Sequence, residues 1–70
     1  MLTMEYYLVD ELTADALMID DLIGIDDEIY QIIGITSTPE GFLLQIEYEF
    51  GEREVIDCNY DDKFNLFIYQ

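Results

Sequence analysis

The chain has no histidine, a single cysteine, a single proline and only two basic residues among 70. Without histidine and with Cys58 alone, it can assemble neither a zinc-finger ligand set nor a Cys/His nucleophile, and it has no imidazole for acid–base chemistry. An internal disulfide is equally impossible, which fits a reducing cytoplasm. The shortage of Lys and Arg excludes direct binding to nucleic acid phosphates or to an anionic membrane, since either would require the opposite sign of charge. No apolar run approaches the ~18 residues of a membrane span. The first residues, MLTMEYYLVDEL, show neither a basic leader segment nor a continuous apolar one. The expectation is a soluble, unprocessed, cytoplasmic protein.

What is present is acid and apolar bulk. There are 17 Asp and Glu, a formal net charge of −15, and a composition that is 51% hydrophobic and 14% aromatic. Disordered acidic segments lack aromatics and branched aliphatics, so this chain is expected to fold. Its length allows one domain, whose single core leaves ~3–5 kcal/mol of net stability. Adaptation to high salt explains the acidity less well, because Ile, Phe and Tyr are abundant and alanine is scarce. A dense negative surface favours a basic protein surface as partner, with association that is fast and salt-sensitive.

Along the chain, MEYYLV (4–9) reads as a short strand. DELTADAL (10–17) can hold one helical turn with Thr13 as its N-cap. From Asp20 the pattern is five short strands: DDLIGI, IYQIIGIT, FLLQIEYEF, EVIDC and FNLFIY. Asp26-Asp27-Glu28 separates the first two, and Thr38-Pro39-Glu40-Gly41 supplies a proline with fixed φ and a glycine able to take positive φ. Gly51 opens the third connection. Asn59 to Lys63 is expected to hold a single 3₁₀ turn before the last strand.

Five short strands at this spacing imply a closed barrel, which removes exposed edges. The run DDLIGIDDEIYQIIGI resembles the opening of small SH3-like barrels, such as KOW-type modules and the N-terminal domain of elongation factor P. That resemblance implies an all-β, five-stranded SH3-like barrel over residues 20–70, with 1–19 as a short N-terminal extension of one domain. The chain departs from those modules in having Asp20-Asp21 and Asp26-Asp27 in place of a Gly-Asp. It also lacks their RNA-binding basic residues, so nucleic-acid binding does not carry over.

The hairpin QIEYEFGERE (45–54) concentrates the charge problem. A two-residue loop at Gly51-Glu52 sets Glu49 opposite Glu54 but places Asp57 against Ile46 on the core side. A three-residue loop, Gly51-Glu52-Arg53, is preferred: Tyr48 faces Ile56, Ile46 faces Cys58, and Glu47 lies opposite Asp57 outside. Both registers oppose two carboxylates, at a cost of a few tenths to ~1 kcal/mol. Such a cost suggests an outer face kept acidic for a partner; the plainer alternative is acidity for solubility alone.

Outward residues i and i+2 on a strand lie ~6.6 Å apart, whereas duplex DNA carries one charge per ~1.7 Å of its axis. Imitating nucleic acid therefore needs carboxylates from several strands and loops. The candidate partner-binding residues are Asp20, Asp21, Asp26, Asp27, Glu28, Glu47, Glu49, Glu52, Glu54, Asp57, Asp61 and Asp62, with Glu40 as a further contributor. In size and charge the chain resembles the small acidic anti-defence proteins of bacteriophages. That likeness implies inhibition of a nucleic-acid-handling protein through its basic groove. The alternative is an SH3-like interaction module or homodimer that binds through aromatics, since Tyr6, Tyr7, Tyr30, Tyr60, Phe67 and Tyr69 cannot all fit inside a five-stranded barrel. A further option for these rings is packing of the N-terminal segment over a barrel end.

Other constellations are weaker. Asp26-Asp27-Glu28 has oxygen ligands for Mg²⁺ or Ca²⁺, but no EF-hand spacing surrounds it. A two-carboxylate hydrolase needs a cleft that a barrel this small does not offer. Cys58 is expected inside, as inert core filling. The expected protein is not an enzyme and has no cofactor.

Overall fold

The computed structural model describes residues 5–48 and 51–70. Within them lie six strands and one 3₁₀ turn. The strands are β1 (Tyr6–Thr13), β2 (Leu22–Ile25), β3 (Glu28–Ser37), β4 (Gly41–Tyr48), β5 (Arg53–Asn59) and β6 (Lys63–Tyr69), and the turn is Ala14–Ala16. All pair antiparallel in a single sheet of order β1-β6-β2-β3-β4-β5. The all-β class expected from the alternating pattern is what forms, and each of the five expected strands from Asp20 onward is present. The sheet is not closed, however, and it has six strands. Residues expected to form an extension supply β1, which pairs with β6 along its length.

The sheet nevertheless curls. Four strand spacings of ~4.8 Å separate β5 from β6, about 19 Å if flat. The link from Asn59 to Lys63 spans at most ~15 Å at 3.8 Å per Cα step. The Asp62 N–H donates to the Asn59 carbonyl at 3.2 Å, so the link is tighter still. Here a β-turn stands where a 3₁₀ turn was expected; the 3₁₀ turn follows β1 instead, with Thr13 as its N-cap as the sequence suggested. Asp62 accounts for the difference, because its Oδ2 accepts the Asn59 N–H at 2.8 Å and closes the turn locally.

On the concave side, Ile23, Ile32, Leu44, Ile46 and Cys58 are buried. The 3₁₀ segment crosses the concavity, touching both β1 and β4, and inserts Ala14 and Leu17 into the same core. Its backbone is tied to the β5–β6 turn by Ala14 N–H to Asp62 O, 2.8 Å. Thus part of the N-terminal segment does cover one end of the core, and β1 adds Leu12 to it while its Tyr6–Val9 stretch stays exposed.

Two corrections concern the hairpins. In β4–β5, Glu47 faces Arg53, Gln45 faces Val55, Leu44 faces Ile56 and Phe42 faces Cys58. The connection therefore encloses five residues, 48–52, pinned by Tyr48 N–H to Glu52 O at 2.7 Å and Gly51 N–H to Tyr48 O at 2.8 Å. Neither expected register occurs. Glu47 meets a cation and Asp57 lies opposite Leu43, so the opposed carboxylates Glu47 and Asp57 do not exist; Glu49, from the other pairing, lies outside the described residues. Cys58 is buried as expected, but its neighbour is Phe42, whose carbonyl accepts its thiol at 3.6 Å. In β3–β4, Gly41 does not take positive φ. It is glycine for a different reason: a Cβ there would fall 1.9 Å from the Cys58 carbonyl oxygen.

The β2–β3 turn carries strain that the sequence concealed. Ile25 pairs with Glu28, leaving Asp26 and Asp27 as a two-residue loop with φ of 50° and 68°. Left-handed backbone at both central positions is the type I′ pattern, which favours Asn-Gly. The double substitution Asp26→Asn, Asp27→Gly is expected to raise stability by about 1 kcal/mol. A higher urea midpoint at unchanged slope is the readout; an unchanged midpoint contradicts it.

Candidate functional site

Because side chains alternate across the sheet, one transverse row of the convex face can be followed through all six strands. It runs Leu8, Phe67, Leu22, Gln31, Glu47, Arg53, each opposite the next. The row is apolar on β1, β6 and β2, and becomes polar on β3, β4 and β5. In the neighbouring row Asn65 faces Gly24, which faces Ile29. Phe67 lies over Gly24, its Cε2 2.8 Å from where a Cβ would stand. With no side chain at 24, the ring settles onto the sheet and joins Leu22 and Ile29 in one partly buried apolar surface.

Acids bracket this surface at both ends of β2. Asp20 and Asp21 border a hollow formed with Leu22 and with Leu66–Tyr69 of β6. Asp26, Asp27 and Glu28 border a second hollow with Ile29, Asn65 and Phe67. Five residue steps along an extended strand separate Asp21 from Asp26, about 16 Å. Thus the shortness of β2 sets two acidic ends around Phe67. Asp20, Asp21, Asp26 and Asp27 are brought together by one apolar face, a relation that their sequence positions alone do not disclose; Glu28 meets that face only at its rim, because it lies opposite inward-facing Ile25 and its carboxylate accepts from Tyr30.

Of the remaining candidates, Glu47 borders the same face, lining a hollow with Leu22, Ile29 and Gln31, and is paired with Arg53 at 2.9 Å; the others lie elsewhere. Arg53, Val55 and Asp57 share the convex side of β5, Glu54 faces Ile46 at the concave rim, Glu52 sits in the β4–β5 connection, and Asp61 and Asp62 form the β5–β6 turn. Among the described residues, no single carboxylate row crosses the hairpin.

Several acids also have local partners. Asp21 Oδ2 accepts the Met18 N–H at 2.8 Å, and Asp20 Oδ1 accepts from Gln31 Nε2 at 3.1 Å. The Tyr30 hydroxyl donates to Glu28 Oε2 at 3.1 Å. Desolvation, then the hydrogen bond and charge of Glu28 with Glu54 beyond it, push the Tyr30 phenol above its ordinary pKa. By contrast, Asp26, Asp27 and Asp57 make no side-chain hydrogen bond or ion pair with another described residue. Both cations are engaged, Arg53 with Glu47 and Lys63 with Glu11 at 3.9 Å. Neither neutralises the acids around Phe67.

Among the described residues, no three of His, Cys, Asp and Glu converge as they would around a metal ion. Burial, followed by the charge of Asp62, raises the Cys58 thiol pKa, the direction that disfavours a thiolate. No described helix is long and apolar enough to cross a membrane. No protein-family model, curated protein or solved structure matches the chain.

Sequence reasoning had named Phe67 among the surplus aromatics but did not single out Leu22 or Ile29. The missing signal is parity: with Ile23 and Ile25 turned inward, Leu22 and Gly24 must face out.

Proposed function

We propose that this chain is a non-enzymatic binding protein that occupies the basic groove of a nucleic-acid-handling protein and thereby inhibits it. One observation carries the reading: the Leu22–Ile29–Phe67 surface is bracketed by Asp20, Asp21, Asp26 and Asp27, while both cations are engaged with other acids. Acid alone steers and selects a basic partner but supplies few anchoring contacts; a central aromatic surrounded by charge supplies both. The likeness to acidic bacteriophage inhibitors in size and charge supports the same reading, which puts the site of action in the cytoplasm.

We also read residues 22–69 as an incompletely closed SH3-like barrel. What supports this is a meander of four strands, β2 to β5, with β6 returned beside β2 across a tight turn. A second functional reading, an interaction module or homo-oligomer whose acidity serves solubility, is favoured by exposed Tyr6, Tyr7, Leu8, Val9, Ile68 and Tyr69.

The test is capture of partners from a lysate of the source cell, followed by elution with duplex DNA and with salt. Captured proteins are expected to be nucleic-acid-binding, to be displaced by DNA, and to lose at least about tenfold in affinity between roughly 50 and 200 mM salt. The variant with Asp20, Asp21, Asp26 and Asp27 all changed to Asn is expected to fold and to lose most of this binding. Binding indifferent to salt, DNA and these four residues overturns the reading.

A further inference from the structure

The two free edges of the sheet are unlike. β5 carries Arg53, Glu54 and Asp57 along its seven residues, the usual guard against strand pairing. β1 carries no charge from Tyr6 through Val9, and these four residues are 40–60% exposed. Beyond Phe67, β6 has no partner on its β2 side among the described residues, where β1 and β6 form a two-stranded ribbon. Tyr6 stacks on Tyr69 on one face, with centroids 4.7 Å apart, while Tyr7 and Ile68 lie on the other. Apolar side chains therefore face water on both sides of it.

The hydrogen-bond phase of the ribbon identifies its free backbone groups. Glu5 and Gln70 exchange both bonds, at 2.8 and 3.0 Å. Bonded and non-bonded pairs alternate in an antiparallel ladder, so Tyr7–Ile68 is bonded, and Tyr6 and Leu8 direct their N–H and C=O groups to the open side. After Leu8 a bulge interrupts the strand at Val9. The Glu11 N–H is then occupied by Asp10 Oδ1 at 2.8 Å. The available edge is thus the short stretch from Glu5 to Leu8.

We propose that this edge takes up an extended segment of a basic protein as an added strand, one whose apolar residues alternate with Lys or Arg. The proposal rests on the basic-partner reading above and specifies how that partner is held. Charge selects the occupant: Glu5 and Asp10 flank the free groups, and Asp20 and Asp21 share a hollow with Leu66–Tyr69 of the ribbon. A second copy of this chain, itself at −15, brings acids to a site that calls for bases. Main-chain pairing gives affinity, and the apolar faces of the ribbon accept the alternate side chains.

The probes are two blocked ten-residue peptides of equal charge, one alternating Lys with Val and one alternating Lys with Gly, added to the full chain under amide hydrogen exchange. The Lys–Val peptide is expected to slow exchange at Tyr6 and Leu8 at least tenfold, and the Lys–Gly peptide much less. Leu8→Pro removes an outward N–H without breaking a β1–β6 bond, and is expected to abolish the Lys–Val effect while the Ile32 and Leu44 amides stay protected. If Leu8→Pro disrupts the fold, the exchange pattern of the unaltered chain still decides. Equal binding of both peptides with Tyr6 and Leu8 unchanged overturns the added strand and leaves the basic-partner reading standing. Binding of neither peptide overturns both. Protection of Tyr6 and Leu8 without peptide, rising with protein concentration alongside a doubled mass, replaces the basic segment with a second copy and overturns the proposal.

Discussion

Gly41→Ala is expected to separate β5 from β4 at the Asn59 end and to remove much of the protein's stability. The hypothetical methyl lies 1.9 Å from the Cys58 carbonyl oxygen and 2.7 Å from the Asn59 Cα. Both obstacles are backbone, so no rotamer change relieves the contact; β5 must shift. That shift strains the Cys58 thiol contact with Phe42 and the turn closed by Asn59 and Asp62, and it moves Tyr60. Tyr60 holds the two turns together through its hydroxyl on Thr38 O at 3.0 Å and its edge contact with Phe42. Overpacking typically costs ~1–3 kcal/mol and a backbone clash more, against a total of ~3–5 kcal/mol for a core of this size. Urea denaturation reads the loss, and amide exchange at residues 57–59 reads its location. Gly51 is the control: a methyl there meets nothing within 4 Å, and its φ of +89° costs a β-carbon only ~1–2 kcal/mol. Equal stability of Gly41→Ala and the unaltered protein contradicts the close approach.

The strands were legible because their signal is local. Alternation in IYQIIGIT and FNLFIY, and turn residues at 26–27 and 38–41, required no knowledge of the rest of the chain. The fate of β1 was not legible in this way. YYLVDELT has a strand's composition, but whether it stands apart or joins the sheet depends on β6 having a free side, a relation between residues 6–13 and 63–69. Closure failed for a related reason. Strand count and turn spacing suggested a barrel, whereas the edge of β6 that would help close one is taken by β1.

The register error has a physical lesson for the site. Two- and three-residue loops are favoured by turn geometry, and both left Arg53 without a cross-strand acid. In the five-residue connection, Arg53 meets Glu47 and a like-charge opposition is replaced by an ion pair. With Arg53 71% exposed, that pair contributes ~0–1 kcal/mol, small yet of the same size as the repulsion it avoids. A chain with one arginine and 17 acids thus carries a register signal in the position of its rare cation. The consequence reaches function, since the case for a deliberately acidic face no longer rests on Glu47 and Asp57. It rests on Asp20, Asp21, Asp26 and Asp27 around Phe67.

Leu44→Ala is expected to leave the chain largely unfolded at room temperature and to abolish partner binding with the fold. Leu44 is fully buried at the centre of the concave side, facing Ile35 on β3 and Ile56 on β5, both of which pack on the core. Truncating such a leucine costs ~2–5 kcal/mol, comparable to the whole ~3–5 kcal/mol available. Loss of amide dispersion and of the cooperative urea transition are the readouts. Val55→Ala, at a side chain 61% exposed on β5, is expected to stay within about 0.5 kcal/mol of the unaltered protein. The unfolded variant retains every carboxylate, so it also separates two explanations of affinity. If the partner responds to negative charge as such, the disordered chain competes nearly as well as the native one. If it responds to Phe67 held between acids about 16 Å apart along β2, competition falls by orders of magnitude when β2 and β6 separate, although the net charge is unchanged.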